Sequence, residues 1–187
     1  KRGKWRQIKG LQLTGKKIGI VGCGHIGKDL VHLLQPFNCK IFVNDIVNFN
    51  DFYKKYNITP MNLEDLLTQS EIITLHLPMN DTTYKILDEK MLDLISKDAI
   101  LINFARGGLI DEEALKKKIL NQGIAGVALD VFEVEPPGNN SLISMDNVFV
   151  TPHIGGSTVE AIEAMGLSAI EGLDSAEDPT NFLVNTR

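Results

Sequence analysis

The fold of this 187-residue chain is decided near its start, by the stretch Lys17-Ile18-Gly19-Ile20-Val21-Gly22-Cys23-Gly24-His25-Ile26-Gly27. A short apolar run comes first, and three glycines then follow with the spacing G-x-G-x-x-G. Beyond them, apolar side chains recur at helical spacing up to Leu34, just before Pro36. The stretch therefore predicts a strand, a tight turn and a helix, the arrangement that places a dinucleotide pyrophosphate at a helix N-terminus.

The remainder of the chain alternates between short apolar runs and amphipathic segments. Strands are predicted at 40–43, 72–77, 99–104, 126–132 and 148–151, and helices at 62–67, 88–95, 111–121 and 157–173. Continuous apolar strands are typical of a parallel sheet that is buried on both faces. The sequence therefore predicts the α/β class, with a doubly wound, mainly parallel sheet of the Rossmann type.

An acidic residue supports the dinucleotide interpretation. Asp45 ends the second predicted strand, 45 − 27 = 18 residues after Gly27, where a carboxylate binds a ribose 2′-hydroxyl. No Lys or Arg lies between Asp45 and Lys54, so a 2′-phosphate would meet like charge without a compensating cation. We therefore predict NAD rather than NADP as the cofactor. The alternative is three turn glycines and a loop acid that bind nothing.

Five motifs in order resemble those of the D-isomer-specific 2-hydroxyacid dehydrogenases. They are G-x-G-x-I-G, H-L-P, N-x-A-R-G-G-L-I-D, D-V-F-E-x-E-P and P-H-I-G-G-S-T, and the resemblance extends from about residue 15 to residue 161. Within the family, the segment 151–158 is most similar to the phosphoglycerate dehydrogenases. The last three motifs follow predicted strands, where parallel α/β sheets bind their ligands.

The resemblance implies a catalytic set of Arg106, Glu135 and His153. Interconversion of a 2-oxo and a 2-hydroxy acid needs a proton at oxygen and a cation for the substrate carboxylate, besides the hydride. His153 suits the proton role because an imidazole titrates near neutrality. Glu135 would orient His153 and favour its charged form, and the planar fork of Arg106 matches a carboxylate. Taken singly, each of the three also fits an ordinary structural or surface role.

By the same resemblance, a larger set of residues would contact the cofactor. His25 and Ile26 would lie against the pyrophosphate, and Leu77 and Pro78 would border the adenosine. The nicotinamide side would be formed by Phe104, Ala105, Gly155 and Gly156, with Asp130 beside the nicotinamide amide. The predicted cofactor set is Gly22, Gly24, His25, Ile26, Gly27, Asp45, Leu77, Pro78, Phe104, Ala105, Arg106, Asp130, His153, Gly155 and Gly156.

The resemblance also implies a domain organisation. In the family, the cofactor domain is inserted in a substrate-binding domain. We expect residues 1–187 to form the NAD-binding domain, with a basic connecting segment at 1–14, a Rossmann core at 15–175 and the start of the return to a missing substrate domain at 176–187. A chain that begins without methionine and ends at Arg187 is expected to be a segment of a longer protein.

The leading functional expectation is NAD-dependent oxidation of 3-phosphoglycerate at its 2-hydroxyl to 3-phosphohydroxypyruvate, a step of serine biosynthesis. One alternative is another dehydrogenase of the family, acting on glyoxylate, hydroxypyruvate or D-lactate. A second is an NAD-responsive binding protein of the corepressor type, and a third is a segment that binds NAD but is inactive without its substrate lobe. The resemblance further implies a homodimer.

Composition limits the other possibilities. The chain is 43% hydrophobic and 23% charged, as in ordinary globular proteins, and its apolar runs are far shorter than the about 18 residues of a membrane span. Two cysteines, Cys23 and Cys39, favour reduced thiols in the cytoplasm. The histidines and cysteines lack H-E-x-x-H or C-x-x-C spacing, so no metal is expected. Eight Lys/Arg precede residue 29, but the remainder has 11 Lys/Arg against 24 Asp/Glu and would repel phosphates, so a solvated connecting segment is favoured over nucleic-acid binding.

Overall fold

The computed structural model describes residue 7 and residues 9–175. Within them, one sheet contains the strands β1 (Lys17–Val21), β2 (Lys40–Asn44), β3 (Thr59–Pro60), β4 (Ile72–Leu75), β5 (Ile100–Asn103), β6 (Gly126–Leu129) and β7 (Val148–Val150). The strand order is β3-β2-β1-β4-β5-β6-β7, and every neighbouring pair is parallel. The predicted α/β class and parallel sheet are confirmed.

One α-helix follows each of β1 to β5, and the last helix follows β7. They are α1 (His25–Leu34), α2 (Asn50–Lys55), α3 (Leu63–Gln69), α4 (Glu89–Leu94), α5 (Glu112–Leu120) and α6 (Val159–Asp174). The starts of α3, α4 and α5 are set by capping side chains that satisfy backbone N–H groups of the first turn. Asn62 accepts from Asp65 N at 2.8 Å, Asp88 accepts from Met91 N at 2.9 Å, and Asp111 accepts from Ala114 N at 3.1 Å.

Both faces of the sheet are buried, because successive residues of a strand point to opposite sides. Ile18 and Ile20 of β1 pack in one apolar cluster with Val31 of α1. Val21 belongs to a second cluster, which contains Leu66 of α3 and side chains of α4 and α5. This two-sided burial explains why the strand segments of the sequence are continuous apolar runs, and it is the mark of a doubly wound sheet.

The structure differs from the sequence predictions at a few boundaries. β4 ends at Leu75 rather than at residue 77, because Gly22, with a φ of +97°, turns the neighbouring β1 away at that level. β6 ends at Leu129, three residues early. α2 and β3 were not predicted: the N-cap residue of α2, Phe49, makes no side-chain capping bond, and β3 is a two-residue edge strand that contains Pro60.

The chain divides after Pro152 into two compact units. The first contains the whole sheet, and the described part of the second, 153–175, contains α6, which has no buried residue. No helix in the described ranges is long and apolar enough to cross a membrane. Most of the predicted connecting segment (1–6 and 8) and the predicted return segment at 176–187 lie outside the described residues, and the division at 15 and 175 stays a prediction.

Candidate active site

The glycine-rich loop between β1 and α1 forms one side of the candidate site. A Cβ on Gly22 would stand 2.6 Å from the carbonyl oxygen of His76, and the φ of +97° also favours glycine there. A Cβ on Gly27 would stand 2.3 Å from the Gly22 carbonyl oxygen, so glycine lets α1 pack on β1. For Gly24, the described residues place nothing within 4 Å of such a Cβ, its chain neighbours aside. Gly22 and Gly27 are therefore required by the fold, whereas Gly24 leaves open space.

The open space lies at the N-terminus of α1, where backbone N–H groups favour an anion. Gly24 precedes the helix as its N-cap, and His25 and Ile26 form its first turn with exposed side chains. A side chain at position 24 would occupy the space that a pyrophosphate needs for a close approach to the backbone. The loop thus has the shape expected of a phosphate cradle.

Asp45 lies beside this loop, directly after β2. Its carboxylate accepts from Cys23 N at 2.6 Å and from Val47 N at 2.8 Å, so it joins the end of β2 to the glycine-rich loop. The Cys23 thiol beneath it is buried and free, and burial, followed by the negative charge of Asp45, raises the pKa of that thiol. The half-buried carboxylate retains acceptor capacity for a sugar hydroxyl.

A second loop carries Arg106 at the end of β5. Asn103 is buried at the last position of that strand, where its amide donates to Arg106 O at 2.9 Å and accepts from Ala105 N at 3.1 Å. The guanidinium of Arg106 is exposed and donates to Ala105 O at 2.6 Å. Asn103 therefore shapes the loop that presents Arg106. Sequence reasoning gave Asn103 no role, although a polar residue that ends a buried strand was the available signal.

A third loop carries Glu135 after β6, and it packs directly on the Arg106 loop. A Cβ on Gly107 would stand 1.9 Å from the carbonyl carbon of Phe132, so backbone meets backbone at this point. Glu135 accepts from Phe132 N at 2.9 Å through Oε1. The structure thus brings the loops of two predicted catalytic residues, Arg106 and Glu135, into contact.

The remaining predicted residues of the first unit lie at the same sheet edge. Asp130 is buried, accepts from the hydroxyl of Thr151 and donates its backbone N–H to Asn103 O at 3.0 Å. Leu77 and Pro78 follow β4, and Phe104 and Ala105 follow β5. Because all seven strands are parallel, their carboxyl ends meet at one edge, where such sheets bind ligands.

His153, Gly155 and Gly156 belong to the second unit, which is described by itself. His153 has a φ of +54°, a backbone conformation that is uncommon outside glycine and that clusters at functional sites. Its carbonyl oxygen accepts from the Ser157 hydroxyl at 3.4 Å, a few residues before Thr158 caps α6. That His153 meets Arg106 and Glu135 stays a prediction.

The site has the shape and charge expected for a dinucleotide. The open position at Gly24, the helix N-terminus behind it and the Asp45 carboxylate match the pyrophosphate and ribose of such a cofactor. Over residues 7 and 9–175, no group of three or more His, Cys, Asp or Glu side chains is placed to hold a metal ion. The arrangement can therefore bind the pyrophosphate and ribose of a dinucleotide beside the glycine-rich loop. That the nicotinamide reaches the Arg106 and Glu135 loops stays a prediction.

Comparison with known proteins agrees with this geometry. The family described as D-isomer specific 2-hydroxyacid dehydrogenase, NAD binding domain, matches residues 1–155. The chain is 39% identical over 179 residues to the D-3-phosphoglycerate dehydrogenase of Methanocaldococcus jannaschii, with 91% of this chain and 33% of that protein covered. It is 37% identical over 177 residues to the hydroxypyruvate reductase of Thermotoga maritima, with 91% of this chain and 56% of that protein covered.

One solved structure of an enzyme from the same group is similar in both sequence and fold. The glyoxylate reductase of Paecilomyes thermophila is 31% identical and superimposes with a TM-score of 0.84, over 91% of this chain and 52% of that one. The chain thus spans about a third to about a half of these relatives. They share the cofactor-domain fold and differ in the substrates that their names state.

Proposed function

Because the chain belongs to the D-isomer specific 2-hydroxyacid dehydrogenase family through its NAD-binding domain, we propose that the protein that contains it is an NAD-dependent oxidoreductase acting on 3-phosphoglycerate. The 2-hydroxyl would be oxidised to the ketone of 3-phosphohydroxypyruvate, a step of serine biosynthesis. The contact between Gly107 and Phe132, which joins the Arg106 and Glu135 loops, carries the dehydrogenase part of the proposal. The similarity of the segment 151–158 to the phosphoglycerate dehydrogenases supports the substrate.

The roles of the three catalytic residues follow from their chemistry. Arg106, exposed on a loop fixed by Asn103, would bind the substrate carboxylate and polarise the reacting carbonyl. His153 would take the hydroxyl proton during oxidation and return it during reduction. Glu135 would orient the imidazole and stabilise its charged form. NAD, when bound, supplies the acceptor for the hydride that leaves C2 of the hydroxy acid.

The family binds NAD, and the sequence around Asp45 supports NAD over NADP in this chain. The Asp45 carboxylate would bind the ribose 2′-hydroxyl, and it would repel a phosphate at the same position. The next cation along the chain is Lys54, at the end of α2. Preference for NAD thus depends on a single carboxylate beside the glycine-rich loop.

The test is steady-state turnover by the natural full-length protein that carries this sequence. We expect 3-phosphoglycerate with NAD to give a higher kcat/KM than glycerate or D-lactate. We expect Arg106→Gln to lower kcat/KM by about 10- to 100-fold, because a charge-assisted bond to the substrate is lost. Lys97→Gln, a change of one charge in the exposed turn before β5, is the control. No turnover of either 3-phosphoglycerate or 3-phosphohydroxypyruvate would refute the proposal.

A second candidate within the same chemistry is reduction of hydroxypyruvate or glyoxylate. It is supported by the hydroxypyruvate reductase, whose 37% identity is close to the 39% of the phosphoglycerate enzyme, and by the glyoxylate reductase at 31%. Reduction of hydroxypyruvate, glyoxylate and 3-phosphohydroxypyruvate with NADH decides between the two. A higher kcat/KM for the unphosphorylated 2-oxo acids than for 3-phosphohydroxypyruvate would favour the second candidate.

The proposal includes a cytoplasmic homodimer. The exposed apolar side chains of α6, among them Ile162, Met165 and Ile170, are consistent with a helix that is covered in the assembled protein. Sedimentation of the natural full-length protein at micromolar concentration should give twice the mass of one chain. A monomer at that concentration would contradict the homodimer.

A further inference from the structure

One carboxylate spans the loop that carries Glu135. Glu112 is the first residue of α5, and both of its side-chain oxygens accept hydrogen bonds from that loop. Oε1 accepts from the backbone N–H of Glu133 at 2.6 Å, and Oε2 accepts from the side-chain amide of Asn140 at 2.6 Å. Glu112 therefore connects two points, seven residues apart, on either side of Glu135.

The amide of Asn140 can bind Glu112 in only one orientation. Its Oδ1 accepts from Leu142 N at 3.0 Å and caps the short helix at 141–144, and Leu142 is buried. Because the oxygen is used there, the NH₂ group must face Glu112. The donor and acceptor roles of this contact are thus fixed by a neighbouring element of the fold.

The first residue of the loop, Glu133, makes two further contacts. The hydroxyl of Tyr84 donates to Glu133 Oε1 at 2.7 Å, and this bond is the main cause of the raised pKa of Tyr84. A Cβ on Gly107 would stand 2.4 Å from Glu133 N, so the loop also lies against the Arg106 segment. Glu112 is the member of this set that reaches both ends of the loop.

We propose that Glu112 is a positioning residue, which acts through the loop 133–140 to hold Glu135 where it orients the proton-transferring imidazole. The inference rests on the proposed function. Its physical basis is that bonds to a charged acceptor are about twice as strong as neutral ones, so one carboxylate can fix two points of a loop. Without the Glu112 carboxylate, Glu135 would keep its bond to Phe132 N, but the loop around Glu135 would no longer be fixed.

Exchanging donor and acceptor tests the contact. In Glu112→Gln, the new NH₂ group must face one of two donors, the NH₂ group of Asn140 or the backbone N–H of Glu133. In Asn140→Asp, a carboxylate meets the carboxylate of Glu112. In the double variant, the amide introduced at position 112 can donate to the carboxylate introduced at position 140, whose other oxygen still caps Leu142 N. We expect each single variant of the full-length protein to lose about tenfold in kcat, the scale of one bond to a charged group. The double variant should return to within about twofold.

Two further measurements and a matched control variant test the positioning role. Amide exchange at Glu133, followed by NMR, should rise in both single variants and fall again in the double variant. The KM for NAD should stay unchanged, because the cofactor cradle lies on other elements. Glu113→Gln, the exposed neighbouring glutamate of α5, is the matched control and should behave as wild type.

The outcomes are distinct. If the wild type is active and kcat is unchanged in both single variants, the positioning role of Glu112 is overturned but the proposed function is not. This holds whether or not amide exchange at Glu133 changes. A kcat that falls in the single variants but does not recover in the double variant also overturns it. A wild type without turnover of any 2-hydroxy or 2-oxo acid overturns the proposed function, and the role of Glu112 falls with it.

Discussion

Gly107 lies with its Cα directly against the peptide group of Phe132. A Cβ at position 107 would stand 1.9 Å from the carbonyl carbon of Phe132 and 2.0 Å from its oxygen, distances that real contacts do not allow. The residue after Arg106 and a residue three positions before Glu135 are thereby packed backbone to backbone. The relative position of two catalytic candidates thus depends on the absence of one side chain.

Gly107→Ala should therefore damage both the fold and the proposed activity. The clash is with backbone, which cannot rotate away, so we expect a loss of about 3 kcal/mol in the free energy of unfolding, the upper range for overpacking. Gly108→Ala is the control, because its Cβ would meet mainly the Sδ of Met79, the end of a flexible side chain. Urea unfolding of the two variants measures the difference. Equal stability of both would contradict the close packing.

Gly24→Ala should separate cofactor binding from folding. Nothing among the described residues lies within 4 Å of the new methyl group, so stability should change by less than about 0.5 kcal/mol. The methyl group would fill the space for the pyrophosphate, and we expect NADH affinity to fall at least about tenfold. Calorimetric titration with NADH measures this. Unchanged affinity would place the cofactor elsewhere, and an unfolded variant would show that position 24 has no room for a methyl group.

Asp45→Ala should weaken NADH binding by about 10- to 100-fold, because the ribose loses a charged acceptor and the loop loses the bond at Cys23 N. NADPH binding should weaken less, since the variant also removes the carboxylate that repels the 2′-phosphate. Titration of each cofactor checks the ratio. Asp51→Ala, on the exposed side of α2, should change neither affinity. Tighter binding of NADPH than NADH by wild type would overturn the predicted specificity.

His76 should make stability depend on pH. Burial lowers the pKa of this imidazole below its ordinary value of 6.5, and its ring nitrogen Nε2 lies 3.0 Å from the Thr74 hydroxyl. The folded state therefore binds this proton less readily than the unfolded state, so its stabilisation is full above about pH 6.5 and is lost as the pH falls toward the lower folded pKa.

Urea unfolding at about pH 7.5 and about pH 5.5 tests this effect, since the two values bracket the ordinary imidazole pKa. Wild type should lose more free energy of unfolding between them than His76→Gln does. His25→Gln, the same change at an exposed position, should lose as much as wild type. Equal losses in wild type and His76→Gln would contradict the lowered pKa of this imidazole.

Much of the fold could be predicted because its signals are local. The caps at Asn62, Asp88 and Asp111 act within one helical turn, and the continuous apolar runs follow from burial on both faces. The segment 46–61 lacked such signals, so α2 and the edge strand β3 were missed. The two-residue β3 depends on pairing with β2 rather than on its own sequence.

The sequence by itself determined the α/β class and the cofactor motif, because apolar periodicity and glycine spacing are local signals, and the resemblance of its motifs to the family supplied the candidate residues Arg106, Glu135 and His153. Only the tertiary structure decided that Gly107 joins two of their loops and that Glu112 spans the Glu135 loop. The two bonds of Glu112 link residues 21 and 28 positions apart. The contact of Gly107 with Phe132 is between backbone atoms, so no side chain indicates it. No local pattern specifies such partners, because they come together only when the parallel strands bring their carboxyl ends to one edge of the sheet.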